Sequence, residues 1–374
     1  MRMQRVLILK FPYASAFGGG EQHTIQLVEH LQKRGFVFFF VGSCTVLLEE
    51  FRKRYWHAQR AHLGKEPVSI FGLVVFTLLL PLEILVIFGI LFYYRFRHGV
   101  RVIYCLSLGE KLLGTMIARI LGMKVIWMEH LMIERWLRQN PYRPFYALWS
   151  RFAHVIAVSR AVKRTLQEIG VRKQNIQVIY NGVDTDRFTP TPSTTRNVII
   201  GALTRMAPEK GLDDLIRAFA LAHAKCPGLQ LHLYGKENPA LLLQELAAKL
   251  HVSDAVLFKG FISDPRTVIP NFRAIVMTAH RRDSFGIAIA EAGAMGVPAI
   301  ASDMEGFTEV IEDNKTGRIF PRRNIEKLLE LLINVYDHPE TWKHYGNNAR
   351  ARVVKYFSLT RMIDEFEKLF TSLY

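Results

Sequence analysis

Short apolar runs alternate with amphipathic stretches through both halves of the chain. Arg5–Lys10 reads as a buried strand, followed by a glycine-rich turn at Phe17–Gly20. The next segment carries Ile25, Leu27, Val28 and Leu31 on one helical face and stops at Gly35. Further strands are predicted at Phe36–Val41, Val100–Cys105, Val125–Met128, His154–Val158 and Ile176–Ile179. Ser159 is a suitable N-cap for a helix over Arg160–Ile169.

Thr189–Arg196, with two prolines and several threonines, breaks the pattern and reads as a linker. A second series follows. Strands are predicted at Asn197–Leu203, Leu229–Tyr234, Val256–Lys259, Ala274–Met277 and Ala299–Ser302. Helices are predicted at Leu212–Ala224, Pro239–Leu250 and Phe285–Met295. An amphipathic helix, Leu359–Leu373, closes the chain. Strands alternating with helices imply parallel sheets covered on both faces. The expected architecture is therefore α/β, with two Rossmann-like domains facing each other across a cleft. The expected boundaries are 1–190, 191–355, and a final helix over 356–374 that crosses back to the first domain.

One segment departs from this pattern. Val68–Tyr94 is apolar apart from a few positions, chiefly Glu83, with Pro81 near its middle. The strands on either side must share one sheet, which argues against a single crossing of a ~30 Å hydrocarbon core. Two crossings would need about 20 residues each, more than the segment provides. Pro81 suggests a kink or two shorter helices, so the expectation is a surface helical hairpin dipped into one leaflet. Arg52, Lys53, Arg54, Arg60 and Lys65 precede it, and Arg95, Arg97 and Arg101 follow; such cations favour anionic head groups.

At 374 residues the chain is long enough for two hydrophobic cores, and its formal net charge of +16 favours an anionic partner. The basic residues are dispersed, without zinc-finger spacing, a basic heptad helix or an aromatic RNA-binding strand, which disfavours nucleic acid. Cys44, Cys105 and Cys226 are too few and too scattered for a disulfide framework or a metal site. The apolar run Val6–Leu9 after the basic start is too short for a signal peptide, so a cytoplasmic location is expected.

The chemistry concentrates in the second half. Asp283-Ser-Phe-Gly-Ile-Ala-Ile-Ala-Glu291 places an acid before a helix and another about two turns on. Backbone N–H groups at Ser284, Phe285, Gly286 and Ile287 would be free at the helix start and suit an anion. Thr204-Arg-Met-Ala-Pro-Glu-Lys-Gly211 lies between a strand and a helix, so Arg205 and Lys210 would project at the carboxyl end of the sheet, suited to a diphosphate.

These stretches resemble the large retaining glycosyltransferase group 1 (family four), which has the GT-B fold. The resemblance is carried by Gly18–Glu21, Ala157–Arg160, Ile179–Asp184 with Phe188, Arg205–Gly211, Asp283–Pro298, Gly306–Glu309 and Tyr356–Ser358. It implies that Arg205 and Lys210 bind the donor diphosphate, Glu291 the ribose, and Asp283 the transferred sugar. Asp283 stands where the family has the longer Glu, which can alter sugar choice unless His280, Arg281 and Arg282 compensate. Gly235-Lys-Glu237 replaces the family's Gly-x-Gly, and Lys259-Gly-Phe261 resembles the strand end beside the base. Gly18, Gly19 and Gly20 resemble the family's glycine loop, which can approach the donor because glycine lacks a side chain. His130, after a strand, matches a histidine facing the sugar. Asp184-Thr-Asp186 imitates a metal-binding pair, but its setting reads as a structural turn.

The implied activity is metal-independent hexosyl transfer, with retention, from a nucleotide-diphosphate sugar, without a further cofactor. The apolar segment points to a lipid or lipid-linked acceptor, an anionic membrane surface as partner and a peripheral or monotopic site on its inner face, within polysaccharide or glycolipid biosynthesis. A non-catalytic nucleotide-sugar-binding protein and a sugar-nucleotide epimerase of the same fold are the alternatives.

Overall fold

The computed structural model describes residues 4–11, 18–132, 135–195, 197–235, 240–281 and 283–374. The chain divides into two compact units, Met1–Tyr180 with Met362–Tyr374, and Asn181–Arg361.

The first unit is built on seven strands, β1 (Gln4–Lys10), β2 (Phe36–Gly42), β3 (His57–Arg60), β4 (Val102–Cys105), β5 (Lys124–Glu129), β6 (His154–Ala157) and β7 (Ile176–Val178). They form one parallel sheet in the order β3-β2-β1-β4-β5-β6-β7. Helices α1 (Gly19–Gln32), α2 (Thr45–Lys53), α3 (Ile70–Arg97), α4 (Leu108–Ile120), α5 (Arg135–Arg138), α6 (Arg143–Trp149) and α7 (Arg160–Glu168) connect them. The central strands are buried on both faces, as in Val6–Leu9 and Phe38–Val41, which is why they read as unbroken apolar runs. Ser159 caps α7 as its sequence predicts, accepting from the Val162 N–H at 3.1 Å.

The apolar segment is a single 28-residue helix, α3, with Pro81 inside it, and not the expected hairpin. Its buried positions, Gly72, Phe76, Glu83, Ile87, Leu91 and Tyr94, recur at helical spacing on both sides of the proline, and α3 lies along α4. That continuous stripe of tertiary packing outweighs the one backbone hydrogen bond a proline removes. Glu83 is the polar member of the stripe and accepts from the Gly64 N–H at 3.0 Å. Away from the stripe α3 exposes large apolar side chains, with Leu78 at 74% and Leu85 at 68%. The strands that flank α3 in the chain, β3 and β4, belong to the same sheet.

The second unit has six parallel strands, β8 (Val198–Leu203), β9 (Leu229–Tyr234), β10 (Val256–Gly260), β11 (Phe272–Met277), β12 (Ala299–Ser302) and β13 (Gly317–Phe320), ordered β10-β9-β8-β11-β12-β13. Helices α8 (Leu212–Lys225), α9 (Ala240–Lys249), α10 (Ile287–Ala294), α11 (Glu305–Val310), α12 (Ile325–Asp337) and α13 (Pro339–Tyr356) complete it. Pro239, at the expected start of α9, lies outside the described residues. Helix α10 starts at Ile287 instead of Phe285 because Gly286 takes φ +87°, a left-handed conformation that interrupts the helix there.

The division falls at 180/181 and 361/362, not at the expected 190/191 and 355/356. Residues 181–190 are tied to the second unit. The Val183 N–H donates to the Phe357 carbonyl and the Leu359 N–H to the Val183 carbonyl, each at 2.8 Å. The Arg350 guanidinium donates to the Phe188 carbonyl at 2.6 Å and to the Thr185 carbonyl at 3.0 Å. The final helix, α14 (Leu359–Ser372), contributes Met362 onwards to the first unit. There it buries Phe366 and Phe370, while Asp364 and Glu367 accept from Arg34 at 2.6 and 2.5 Å.

Candidate active site

In the second unit, β8 and β11 are neighbours, but the chain leaves β8 toward β9 and leaves β11 toward β12, in opposite directions. Their carboxyl ends therefore flank a topological switch point, where open α/β sheets bind ligands. Both motifs with candidate chemistry emerge there. The loop 204–211 follows β8, and the loop 278–286 follows β11.

These loops are joined by specific contacts. Lys210 Nζ lies 2.5 Å from Asp283 Oδ2, and both side chains are largely buried. The Thr278 hydroxyl donates to the Lys210 carbonyl at 2.8 Å, and the His280 N–H donates to the Glu209 carbonyl at 2.8 Å. Gly211 turns the chain with φ +63°. A Cβ there would come within 2.5 Å of the Thr278 carbonyl and 2.8 Å of the His280 ring, so glycine is required twice over. Burial pushes the Asp283 carboxyl up from its ordinary value, and the adjacent Lys210 ammonium opposes that shift. Arg205 is mostly exposed, 3.4 Å from Glu209, and its guanidinium is available to an incoming anion.

Helix α10 begins between the two loops' partners. A Cβ on Gly286 would meet the Phe307 ring at 2.8 Å, and one on Gly306 would meet the Phe285 backbone nitrogen at 2.7 Å. Close packing of α11 thus fixes the 284–287 backbone at the start of α10. The Phe285 ring is itself buried, 5.5 Å from Phe357, so only its backbone can serve a donor. One to two turns into α10, desolvation raises the Glu291 carboxyl to about 7, with the Asp264 charge adding to the shift. A titratable group perturbed in this way is a candidate for a functional role.

The remaining donor-side candidates flank this centre. Gly235 follows β9, and a Cβ there would strike the Thr204 carbonyl at 2.0 Å, which brings it against the Arg205 loop. Lys259 and Phe261 are exposed at the end of β10, on either side of Gly260 at φ +71°. Lys236, Glu237 and Arg282 lie outside the described residues. Asp184 Oδ1 accepts from the Asp186 and Arg187 N–H groups at 3.2 and 3.1 Å, a structural turn as its sequence suggests. Among the described residues, Asp213, Asp214 and His280 bring ligand atoms within 4.8 Å of one another. His280 Nε2 sits 3.1 Å from Asp214 Oδ2, and both acids lie in the first turn of α8, where negative charge is favoured.

In the first unit the switch point lies between β1 and β4. Gly18 is the N-cap of α1 after β1, and Gly19 and Gly20 open the helix. A Cβ on Gly20 would stand 3.3 Å from the His130 ring, so the glycine turn and His130 are brought together, 110 residues apart in the chain. The His23 ring meets His130 edge-on at 4.8 Å. Burial, and then the charges of His23, Lys10 and Lys111, hold His130 well below the ordinary histidine range, so it is neutral at pH 7. Its neighbour Glu129 accepts from Lys111 Nζ at 2.6 Å and from the Tyr146 hydroxyl at 2.5 Å. Lys111, Tyr146 and Thr278 carry no sequence signal of their own; each reads as ordinary helix or strand filling.

Two adjoining family patterns match the chain. "Glycosyltransferase Family 4" covers residues 17–187, and "Glycosyl transferases group 1" covers residues 184–352. This chain belongs to the group 1 glycosyltransferases. The group 1 fold, GT-B, recurs at full length in the Anabaena protein HepE, solved in complex with UDP: TM-score 0.84, 19% identity, 99% of this chain and 100% of that one. Among curated relatives, the poly(ribitol-phosphate) alpha-N-acetylglucosaminyltransferase of Staphylococcus aureus is 25% identical over 46% of this chain and 35% of its own. The MMP alpha-(1->4)-mannosyltransferase of Mycolicibacterium hassiacum is 27% identical over 60% of this chain and 57% of its own. The matches thus span about a third to somewhat over half of those relatives' lengths.

Proposed function

We propose that this group 1 member transfers a hexosyl group, with retention, from a nucleotide-diphosphate sugar to a lipid or lipid-linked acceptor at an anionic membrane surface. The observation that carries the donor half is the convergence of Lys210, Asp283 and the start of α10 at the β8/β11 switch point. UDP in HepE and the glycosyl-transfer names of the relatives support it.

In this reading the bond from the anomeric carbon to the diphosphate oxygen breaks as the acceptor oxygen approaches the same face. Negative charge grows on the leaving phosphate. Arg205, Lys210 and the backbone N–H groups at the start of α10 stabilise it, and the leaving oxygen takes the acceptor's proton. These cations supply the positive charge that a metal would otherwise bring to the diphosphate. Glu291 accepts from the ribose hydroxyls, Asp283 contacts the transferred sugar, and neutral His130 offers a hydrogen bond without adding charge.

The acceptor half rests on α3. A helix with one narrow buried stripe and an otherwise exposed apolar surface calls for an apolar neighbour. Because β3 and β4 share a sheet, that neighbour is reached by lying on a leaflet, not by crossing it. Lys65 sits over the Phe71 ring and Arg95 over Phe96, at the two ends of the helix, placing cations where phosphate head groups would be.

A thermal-shift screen of nucleoside diphosphates and nucleotide sugars tests the donor half. One base and sugar should stabilise the fold by mass action, and transfer to a membrane-lipid extract should follow with that donor alone. Absence of any shift at saturating concentrations overturns the reading, and binding without turnover on lipid acceptors overturns the catalytic part.

A further inference from the structure

We infer that α6 is a second lipid-contacting element, and that it continues the apolar surface of α3 with an aromatic one that sits in the head-group layer of an anionic membrane. The inference rests on the reading of α3 as lipid-facing.

Phe145, Leu148, Trp149 and Phe152 stand at i, i+3, i+4 and i+7 across α6 and the 3-10 turn Ser150–Phe152 that extends it. That spacing is the apolar stripe by which a helix ordinarily packs on its own core. Here the stripe points outward, with Phe145 at 47% and Phe152 at 42% exposure. The inward side is already satisfied. Tyr146 is buried, with its ring 4.7 Å from that of Trp127 and its hydroxyl bonded to Glu129. So α6 cannot be rotated to bury the aromatic face without breaking those contacts.

The face is continuous with α3. The Tyr142 ring meets Phe76, which lies on the buried stripe of α3, at 5.2 Å and Phe145 at 6.2 Å, and Phe145 meets Trp149 at 5.9 Å. The Tyr142 hydroxyl lies 2.9 Å from the Thr77 hydroxyl of α3. Exposed Arg151 lies on the element, while Arg138 beside it is paired with Glu168. Trp149 and Tyr142, whose rings carry a polar edge, together with Phe145, Phe152 and the exposed Arg151, match the chemistry of the membrane–water interface, where Trp and Tyr concentrate. The adjoining α3 surface matches the acyl boundary below it. Two contacting elements restrict the orientation of the first unit on the surface more than α3 alone would, since a unit touching the leaflet along one helix can still tilt about that line.

The test uses the full chain and flotation with phosphatidylcholine vesicles, with and without phosphatidylglycerol. Three proteins are compared: the unaltered chain, Leu78→Glu with Leu85→Glu on α3, and Phe145→Ser with Phe152→Ser on α6. The α6 pair should weaken partitioning onto phosphatidylglycerol vesicles by about tenfold or more, the loss expected from keeping two phenyl rings in water. Brominated lipid should quench Trp149 emission in the unaltered chain, identified as the part of the quenching lost in Trp149→Phe. Unchanged partitioning of the α6 pair together with unquenched Trp149, while the α3 pair no longer floats, overturns the inference and leaves α3's role standing. Normal flotation of the α3 pair overturns the reading beneath it. Sedimentation showing a dimer that the α6 pair disperses would assign the face to a second copy and overturn the inference as well.

Discussion

Lys210 and Asp283, 73 positions apart in sequence, form a largely buried ion pair at 2.5 Å, and the two loops they belong to follow adjacent strands. In the proposed donor complex the ammonium also faces a diphosphate, so it answers two anions. Removing it should therefore affect both stability and turnover. Lys210→Met leaves a buried carboxylate without its counter-charge, which costs about 3–5 kcal/mol when a buried pair is broken on one side, less as Asp283 takes up a proton. It also removes charge from the leaving phosphate, worth about a hundredfold or more in kcat. Asp283→Asn should be milder in stability, because the amide keeps an oxygen that can accept from the buried Lys210 ammonium. Calorimetry and initial rates with the donor found by thermal shift separate the two effects. Equal stability losses in both variants would contradict the assignment of the pair.

In the proposed donor site, Glu291 should make donor binding depend on pH. Its carboxyl, raised to about 7, keeps a proton in the folded chain between about pH 4.5 and 7 that the unfolded chain has released. Stability therefore falls as pH rises through that window, and the deficit is complete above it. Glu291→Gln removes the deficit, so its melting temperature should exceed that of the unaltered chain at pH 8 and approach it at pH 5. Ribose hydroxyls donate best to the ionised form. The donor KM should accordingly rise as pH falls below 7, and Glu291→Gln should raise KM and flatten that profile. A KM profile unchanged in Glu291→Gln would remove this residue from the donor site.

What the sequence discloses and what it hides follow from strand order. Both parallel sheets were legible because their central strands are apolar on both faces, as in Val6–Leu9 and Ala274–Met277. The edge strands β3 and β13 were not, since His57–Arg60 and Gly317–Phe320 are short and carry exposed or half-exposed polar residues. Arg205, Lys210, Asp283 and Glu291 were readable as residue types after strands. The Lys210–Asp283 pair was not, because it exists only if β8 and β11 are neighbours, which no local pattern states. The 145–152 stripe was hidden for another reason: its spacing is that of a core-facing helix, and only the buried Tyr146 beside it reveals that the core lies on the other side.

Gly20 tests the role of His130 without altering the histidine. An added Cβ would lie 3.3 Å from its ring, close enough to push the imidazole by a few tenths of an ångström. Gly20 is in the first turn of α1, where alanine is intrinsically the better helix former by up to about 1 kcal/mol. Gly20→Ala should thus keep or slightly raise the melting temperature while lowering kcat by about tenfold or more, the effect of a displaced reacting group. Unaltered kcat in a stable Gly20→Ala protein would argue that His130 does not touch the reacting sugar.

Glu83 ties α3 to the segment that leads into it, and its ionisation sets the strength of that tie. Desolvation raises its carboxyl to about 6, against the opposing hydrogen bond from the Gly64 N–H. Between about pH 4.5 and 6 the folded chain again holds the extra proton, so this group's contribution to stability declines as pH rises through that range and stays low above it. Glu83→Gln keeps an oxygen for Gly64 and carries no charge, and should raise the melting temperature at pH 7.5 relative to the unaltered chain, with the gain shrinking toward pH 5. Glu83→Leu also removes the charge but leaves the Gly64 N–H without its acceptor, at a cost of about 1–3 kcal/mol. Melting curves of the three proteins at pH 5 and 7.5 discriminate between charge and hydrogen bond. If the carboxylate itself holds the segment, Glu83→Gln will be the less stable protein at the higher pH; if desolvation dominates, as its raised carboxyl indicates, it will be the more stable one.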